Sequence, residues 1–396
     1  MDFWQQAILG LQWALFALSI FTAVVSLFML LLLAYSDRCV QKLADVPLPG
    51  DAEAPLPRIS LIAGAKDEER NIEEAVRSLV AIDYPNLQIT LVNDRSRDQT
   101  GPILSRLAAE FPQLNVVHVT ELPAGWLGKN HALQLGADHS DGEWLLFTDA
   151  DIVFERTALR RAIHYAVSHN VDHLAATPDV NMHAWLLQSF VVTFSIYFTL
   201  FVKPWLIRNP NSPAHVGIGA FNLIRASVYE KIGRHEPIRM RPDDDMKLGK
   251  IVKKNGFRQD LVHGMGMIAV EWYSSLNEII VGLEKNAFSG VDYRIGLTVF
   301  SSLFSLTFNV LPYLAIWLVP GPSRWFFLAA VLIQMVMVGR FARSMNMRLT
   351  TIFGFPLAVA LFAYIQWRAM ILTFWRGGIR WRDTHYALAE LRANRV

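Results

Sequence analysis

Residues 3–36 contain not one charged side chain. A run that long and apolar has few outlets, because about 20 such residues already suffice to cross a bilayer as a helix that satisfies its own backbone. A secretory leader is the competing reading, but the run is too long for a leader's apolar core and no clear cleavage site follows. The other end repeats the signal. Residues 295–323 are uncharged, 325–339 form a shorter apolar run, and 349–367 form a longer one with Trp375 as an interfacial anchor. With 53% hydrophobic residues and a mean hydropathy of +0.27, the chain is too apolar for an ordinary water-soluble protein. Yet residues 55–290 have the mixed composition of one soluble domain with its own core. The expected organisation is a transmembrane helix at 1–36, the domain at 55–290, transmembrane segments at 295–375 and a basic tail at 376–396.

Basic residues set the orientation. None precedes the first run, whereas Arg38 and Lys42 follow it closely, which puts the amino terminus outside and the domain in the cytoplasm. Arg340, Arg343 and Arg348 lie between the last two runs, and Arg376, Arg380 and Arg382 follow the last. Three crossings after the domain cannot place both clusters inside, so one run is not a simple span. A net charge of +2 carries no signal for nucleic acid, and no such partner is expected. The single cysteine, Cys39, excludes an internal disulfide framework and a cysteine-based zinc cluster.

Residues 51–57 form a Pro- and acid-rich linker. Residues 58–63 then read as a buried strand that runs into Gly64-Ala-Lys-Asp-Glu-Glu-Arg-Asn71, with a helix from Ile72 burying Ala75, Val76, Leu79 and Val80. A second strand, 88–92, ends in Asn93-Asp94-Arg95-Ser96-Arg97-Asp98. A third, 114–119, is followed by Gly125-Trp-Leu-Gly-Lys-Asn130 and a helix through Leu133 to Ala137. The fourth strand, Trp144-Leu-Leu-Phe-Thr-Asp149, stops in two carboxylates, Asp149 and Asp151, one alanine apart. Strands and helices alternating at this spacing indicate βαβ units and a mainly parallel sheet. Right-handed crossovers gather the strand ends on one edge, where open α/β sheets bind ligands. Asp67, Asp94, Lys129 and Asp149/Asp151 are therefore expected to converge, and two hard oxygen donors on one turn suit Mg²⁺ or Mn²⁺ against a diphosphate. No G-x-G-x-x-G and no G-x-x-x-x-G-K-[ST] is present, which sets aside dinucleotide-binding and P-loop readings.

Further along, a helix over 155–168 and a strand over 172–177 precede residues 184–207, apolar enough to suggest another span. Gln188, Ser195, Thr199 and Lys203 fall on one helical stripe, and a crossing here would split the acids near 150 from those near 244. The expectation is an amphipathic helix in the membrane interface, with a buried core helix as the alternative. Val216-Gly-Ile-Gly-Ala-Phe-Asn-Leu-Ile-Arg225 pairs small residues with a strand-like run, the pattern of a backbone that closely approaches a ligand. Arg241-Pro-Asp-Asp-Asp-Met-Lys-Leu-Gly249 opens a helix closed by Lys253, Lys254 and Gly256. Acids in a first turn are stabilised and kept ionised by the helix dipole. That explains one acid well and three in a row less well.

Together, Ala65-Lys-Asp-Glu-Glu69, Asn93-Asp94, Gly128-Lys129, Asp149-Ala-Asp151 and Asp244-Asp245-x-x-Leu248 resemble the motifs of family-2 inverting glycosyltransferases. The likeness is closest to the membrane-bound branch of ceramide glucosyltransferases and bacterial hopanoid- or carotenoid-associated transferases, and it covers residues 58–290. It implies a GT-A catalytic domain, a nucleotide-diphosphate sugar donor (most often UDP-linked), Mg²⁺ or Mn²⁺, and a lipid acceptor. By the same resemblance, Ala65, Lys66, Asp67, Glu68 and Asp94 hold the nucleoside, and Lys129 lies near the base or diphosphate. Asp149 faces the donor, Asp151 ligates the metal, and Asp245, preceded by Asp244, is the general base. Asp67 stands where the family commonly has Asn, Asn93 where it has Asp, and Asp244 where it has Glu. The Q-x-x-R-W element is not intact, and Lys285 in Glu284-Lys-Asn286 takes the arginine's part. The alternatives are a polysaccharide synthase, which would need a polar channel through the spans, and an inactive sugar-nucleotide sensor.

Overall fold

The computed structural model describes residues 3–48, 56–381 and 384–396; Arg382 and all but the last two residues of the 51–57 linker lie outside them. The chain divides into two compact units, each built from three separate segments.

The sheet-bearing unit comprises Cys39–Asn181, Val202–Trp272 and Gly378–Val396. Its strands are β1 (Gln41–Lys42), β2 (Ile59–Ala65), β3 (Leu87–Asp94), β4 (Leu114–Val119), β5 (Trp144–Asp149), β6 (Val153–Phe154), β7 (His173–Thr177), β8 (Asp179–Asn181), β9 (Asn222–Arg225), β10 (Gln259–His263), β11 (Ile268–Glu271), β12 (Gly378–Trp381) and β13 (Thr384–Ala387). The main sheet has the order β1-β10-β7-β9-β5-β2-β3-β4 and is parallel except for β9, which runs antiparallel between β5 and β7. A small sheet, β6-β11-β8, and the β12–β13 hairpin complete it.

Along the whole chain the helices are α1 (Phe3–Cys39), α2 (Ile72–Val80), α3 (Thr100–Glu110), α4 (Gly128–Asp138), α5 (Ala158–Ser168), α6 (Trp185–Val202), α7 (Pro204–Ile207), α8 (Ala226–Lys231), α9 (Asp244–Lys254), α10 (Leu276–Ser289), α11 (Ile295–Asn309), α12 (Leu311–Leu318), α13 (Pro322–Ser344), α14 (Thr351–Trp375) and α15 (Leu388–Ala393). The unbroken apolar runs of β2 and β5 follow from burial on both faces. Ile59, Leu61, Trp144 and Leu146 pack under α2, α3 and α5, while Ile62, Leu145 and Phe147 pack under α4, α8 and α9. The expected mixed α/β, mainly parallel architecture is therefore what forms.

The helical unit comprises Met1–Arg38, Met182–Phe201 and Tyr273–Gly377. By length and composition α1, the stretch Trp185–Ile207, α13 and α14 are each able to cross a membrane, and α11 with α12 adds a pair bent by 43°. Helices α1 and α13 run side by side in the same direction, since Phe16 meets Phe326, Ser26 bonds Gln334 and Asp37 pairs with Arg340. The short Val319–Gly321 turn returns α12 into α13, so the bent pair runs the opposite way. Helix α14 behaves differently. Its start receives the Trp185 indole N–H at Thr350 O, next to Ser189 against Gly354, just after α13 ends. Its last turn meets α10, through Phe374 on Phe288 and Arg376 on Glu284, just before α11 begins. Both ends of α14 thus lie at one end of the bundle. The polar stripe expected on α6 does not form as a solvated face: Gln188 is buried and donates to Met182 O, and Lys203 lies beyond the last helical turn. Lys285 sits on α10, in the helical unit.

Candidate active site

The parallel strands of the main sheet end at one edge, and the loops there carry the acids. After β2 come Ala65, fully buried, then Lys66, Asp67 and Glu68; after β3 comes Asp94 at its last position. The two loops are laced together: Asp67 Oδ1 accepts the Arg97 N–H at 2.8 Å, Glu68 N–H donates to Thr100 Oγ1 at 2.8 Å, and Glu69 N–H donates to Asp98 at 3.0 Å. Each loop turns through a left-handed residue, Asp67 (φ 54°) and Arg95 (φ 57°). Short Asx side chains tolerate that conformation best, which accounts for Asp serving at 67 where Asn is common. Asp94 is buried and gripped by its neighbour Arg95 at 2.7 and 3.1 Å. Its carboxylate is thereby ion-paired within the fold.

Lys129, at the start of α4, is the hub. Its ammonium lies 2.8 Å from Asp149 at the end of β5 and 3.5 Å from Asp244 at the start of α9. Burial pulls its pKa down, but Asp149, Asp244 and Asp245 together hold it above the usual lysine value. Asn130 ties α4 to the turn before α9 by donating to the carbonyls of Ile238, Arg239 and Arg241. That clamp is what brings Lys129 to the acids.

Asp245 is held from two sides. Its Oδ2 accepts the Gly219 N–H at 2.8 Å and its Oδ1 the Met246 N–H at 2.7 Å. The Gly219 carbonyl in turn accepts the Asp149 N–H at 2.9 Å. A Cβ at 219 would stand 2.6 Å from Asp149 Oδ2, and one at 217 would collide with the Asp245 backbone. The glycines at 217 and 219 therefore serve close approach to the two acids themselves, not only to a ligand. The expectation that the helix dipole keeps Asp245 firmly ionised is corrected. Burial, and then the neighbouring Asp244 charge, push its pKa up to about 7, against the pull of Lys129. Desolvation outweighs the dipole because the carboxylate sits in the protein, not on a wet first turn. Nor does Asp243 cap the helix. It pairs with buried Arg241 at 3.0 Å and with Lys247 at 3.5 Å.

Asp151 lies two residues past β5. Burial, then the charges of Asp149 and Glu68, push its pKa up to about 7. Among the described residues no set of three His, Cys, Asp or Glu side chains is arranged to hold a metal alone. One or two carboxylates facing substrate phosphates is the usual way Mg²⁺ is held, and mutually repelling acids fit a cation arriving with an anionic ligand. Sequence reasoning missed Asn130, Arg241 and the amide of Gly219 as site-builders. Only the Gly217-x-Gly219 pair left a trace, as a backbone poised for close approach.

The mainly parallel sheet, with a lysine among aspartates at one edge, has a GT-A-like fold. It is similar to a mannosyltransferase, PcManGT from Pyrobaculum calidifontis, in complex with GDP-Man and Mn²⁺ (TM-score 0.54, 17% identity, covering 91% of this chain and 99% of that one). Residues 60–233 match the model of Glycosyl transferase family 2. Similar curated proteins include the beta-monoglucosyldiacylglycerol synthase of Synechocystis sp., 36% identical over 124 residues, or 31% of this chain and 26% of that protein. The 4,4'-diaponeurosporenoate glycosyltransferase of Staphylococcus aureus is 20% identical over 216 residues, 54% of this chain and 56% of that protein. The matched stretches thus span from a quarter to just over half of these relatives.

Proposed function

We propose that this chain is a membrane enzyme that moves a hexosyl group from a nucleotide-diphosphate sugar, UDP-linked in the first instance, to a hydroxyl of a lipid acceptor with inversion. The observation that carries the reading is Lys129 set between Asp149 and Asp244, with Asp245 held beside them by Gly219. Relatives named for glycolipid and carotenoid products support the lipid class. Lys66, Asp67, Glu68 and Asp94 shape the nucleoside end, and Lys129 offsets charge on the departing diphosphate. Asp149 and Asp151 would hold Mg²⁺ or Mn²⁺, which when bound supplies Lewis-acid neutralisation of that diphosphate. Asp245 accepts the acceptor proton as the hydroxyl oxygen bonds to the anomeric carbon from the face opposite the leaving group. One displacement inverts the centre. Lys285 takes the part of the family's arginine. The defining experiment offers several radiolabelled sugar nucleotides and a lipid extract to the purified protein; failure of every pair to yield a labelled lipid would overturn the reading.

The chemistry has a pH signature. A base must be unprotonated, and Asp245 is pushed up to about 7. Turnover at limiting donor should therefore climb as pH rises through about 7 and level off above it. A flat profile from pH 5.5 to 8.5 would remove Asp245 from the role.

For topology, we assign crossings to α1, to the α11–α12 pair and to α13, with α6 and α14 lying in the cytoplasmic interface. Support comes from the sheet: β9 and β10 come after α6 in sequence yet hydrogen-bond to β7, which precedes it, so the chain before and after α6 belongs to one sheet. Residues 378–396 also belong to that unit, which requires an even number of crossings between 273 and 377. Both arginine clusters then fall on the cytoplasmic side, the parity that three C-terminal spans could not satisfy. In a Cys39→Ser background, a cysteine at Arg324 should react with an impermeant thiol reagent on intact cells. Cysteines at Asn211, Asn346 and Arg392 should stay protected, and labelling of Arg392 without Asn346 would mean that α14 crosses.

A further inference from the structure

Three buried polar side chains stand on neighbouring strands of the main sheet: Gln259 opens β10, His173 opens β7 and Asn222 opens β9. Burying polar groups is costly unless each finds a partner, so the partners are informative. Gln259 Oε1 accepts the Val216 N–H at 2.8 Å, and its Nε2 donates to the Gly249 carbonyl at 3.1 Å and to His173 Nδ1 at 2.6 Å. The two backbone groups fix which way the amide faces. His173 Nδ1 must then accept, which leaves the ring proton on Nε2 to be donated to Asn222 Oδ1. Burial pulls the His173 pKa down to about 4, so the ring is neutral, as this chain of donors requires. Asn222 in turn lines the cavity that Lys129, Asp244 and Asp245 share.

Val216 and Gly249 lie on the two elements that surround Asp245. Val216 begins the loop that delivers the Gly219 N–H to Asp245 Oδ2, and Gly249 lies one helical turn after Asp245 on α9. Loop and helix meet backbone on backbone. A Cβ at 249 would stand 1.8 Å from Val216 O, and one at 217 would stand 1.8 Å from Asp245 O. Glycine inside a helix weakens it, and a buried glutamine is costly; both make sense where this close approach is required. Glycine permits the approach but supplies no side chain to hold it. Gln259 supplies the bonds. The far end of the loop is held separately, by Thr148 Oγ1 donating to Ala220 O at 2.8 Å and by the Asp149 N–H donating to Gly219 O at 2.9 Å.

We propose that Gln259 is a positioning residue for the base: it staples the 216–219 loop to α9 so that the Gly219 N–H stays on Asp245, while His173, fixed by Asn222, holds the Gln259 amide in the orientation that does so. The inference rests on the reading of Asp245 as the base given above. Gln259 touches neither substrate nor the reacting atoms. It acts through Val216 and Gly249 on the carboxylate that does. Asp149 keeps its own tie to the loop, so loss of the staple reaches the proton transfer and leaves the donor end in place.

The test uses the full-length protein in detergent or nanodiscs with Mn²⁺, the sugar nucleotide and lipid that support turnover, and UDP and GDP as calorimetric probes. Gln259→Met keeps the length and bulk of the side chain and removes the amide. Because a small misplacement of a reacting group forfeits part of what a base contributes, Gln259→Met should lower kcat about 10- to 100-fold. KM for donor and acceptor, and affinity for the accepted nucleoside diphosphate, should stay near wild type. His173→Leu should act in the same direction and less strongly. The discriminating measurement is the double variant. With the base gone there is nothing left to position, so in an Asp245→Asn background Gln259→Met should cost no further turnover. A loss that multiplies with that of Asp245→Asn would overturn the inference, as would wild-type kcat in both Gln259→Met and His173→Leu. Collapse of nucleoside-diphosphate binding in both would make the staple a structural device and overturn it too. Wild-type turnover in Asp245→Asn itself would instead overturn the base reading.

Discussion

Asp245→Asn should lower kcat by about 10²- to 10⁴-fold, the range that general-base assistance contributes, while calorimetry finds donor affinity nearly unchanged. It should also raise Tm at pH 8. The sign follows from proton binding. In the folded protein Asp245 keeps its proton up to about pH 7, whereas an aspartate in the unfolded chain loses it near pH 4. Over that window the folded state binds more protons, so stability falls as pH rises through it. At pH 8 the ionised, buried carboxylate is a standing cost, and relief of it is expected to exceed the loss of one of its two acceptors for the Gly219 and Met246 N–H groups, about 1–3 kcal/mol. Loss of turnover with gain of stability separates a strained base from a structural acid. Asp243→Asn should do the reverse, costing stability because it strips buried Arg241 and Lys247 of a shared partner, with a far smaller effect on rate. Asp244→Asn should fall between them. Near-wild-type turnover in Asp245→Asn beside a dead Asp244→Asn would move the base by one residue.

The second large effect concerns the metal. Chelation should abolish transfer, and Mn²⁺ or Mg²⁺ should restore it. Asp151→Asn should lose donor binding as well as turnover, because the variant removes a ligand from a site where the protein offers one or two carboxylates and the diphosphate supplies the rest. Lys129 provides the internal contrast. Its ammonium, 2.8 Å from Asp149, is a positive charge supplied by the protein itself, so residual nucleotide binding in chelator should be weak but measurable. Undiminished activity in chelator, together with wild-type donor affinity in Asp151→Asn, would sink the assignment.

Much of this is legible in the amino-acid sequence. Strand β4 falls on residues 114–119 as the alternation implied, and α2 begins at Ile72 with Ala75, Val76 and Leu79 buried. Period-2 and 3.6-residue patterns report burial, and burial decides these elements. The meeting of Lys129 with Asp149 was likewise readable, since right-handed βαβ units leave strand ends little choice of edge. What escaped was set by long-range packing. The charge state of Asp245 depends on desolvation, which no neighbouring residue in the sequence announces. Gln188 looked like one member of a solvated stripe but is buried against its own helix start, where Met182 O satisfies its amide. The fate of residues 378–396 was hidden for a similar reason. Arg376 and Arg380 suggest a solvated tail, and only burial of Leu391 and the partners of Asn394 show otherwise.

The placing of β9 between β5 and β7 has a consequence for biogenesis. While the ribosome has made only the residues up to Asn181, β5 presents a bare edge and β7 has no neighbour, because β9 and β10 are still to come. The apolar residues of α6 emerge during that interval, before the strand that closes the gap. Strand β1, made directly after α1, waits longest of all, since its partner is β10. The nascent chain therefore carries an open, hydrophobic half-sheet until those strands are made. Non-local pairing of this kind folds slowly and leaves edges exposed to aggregation. A release of the chain anywhere between Asn181 and Asn222 should give a protein destined for proteolysis, whereas a stop after Glu271 leaves the main sheet complete.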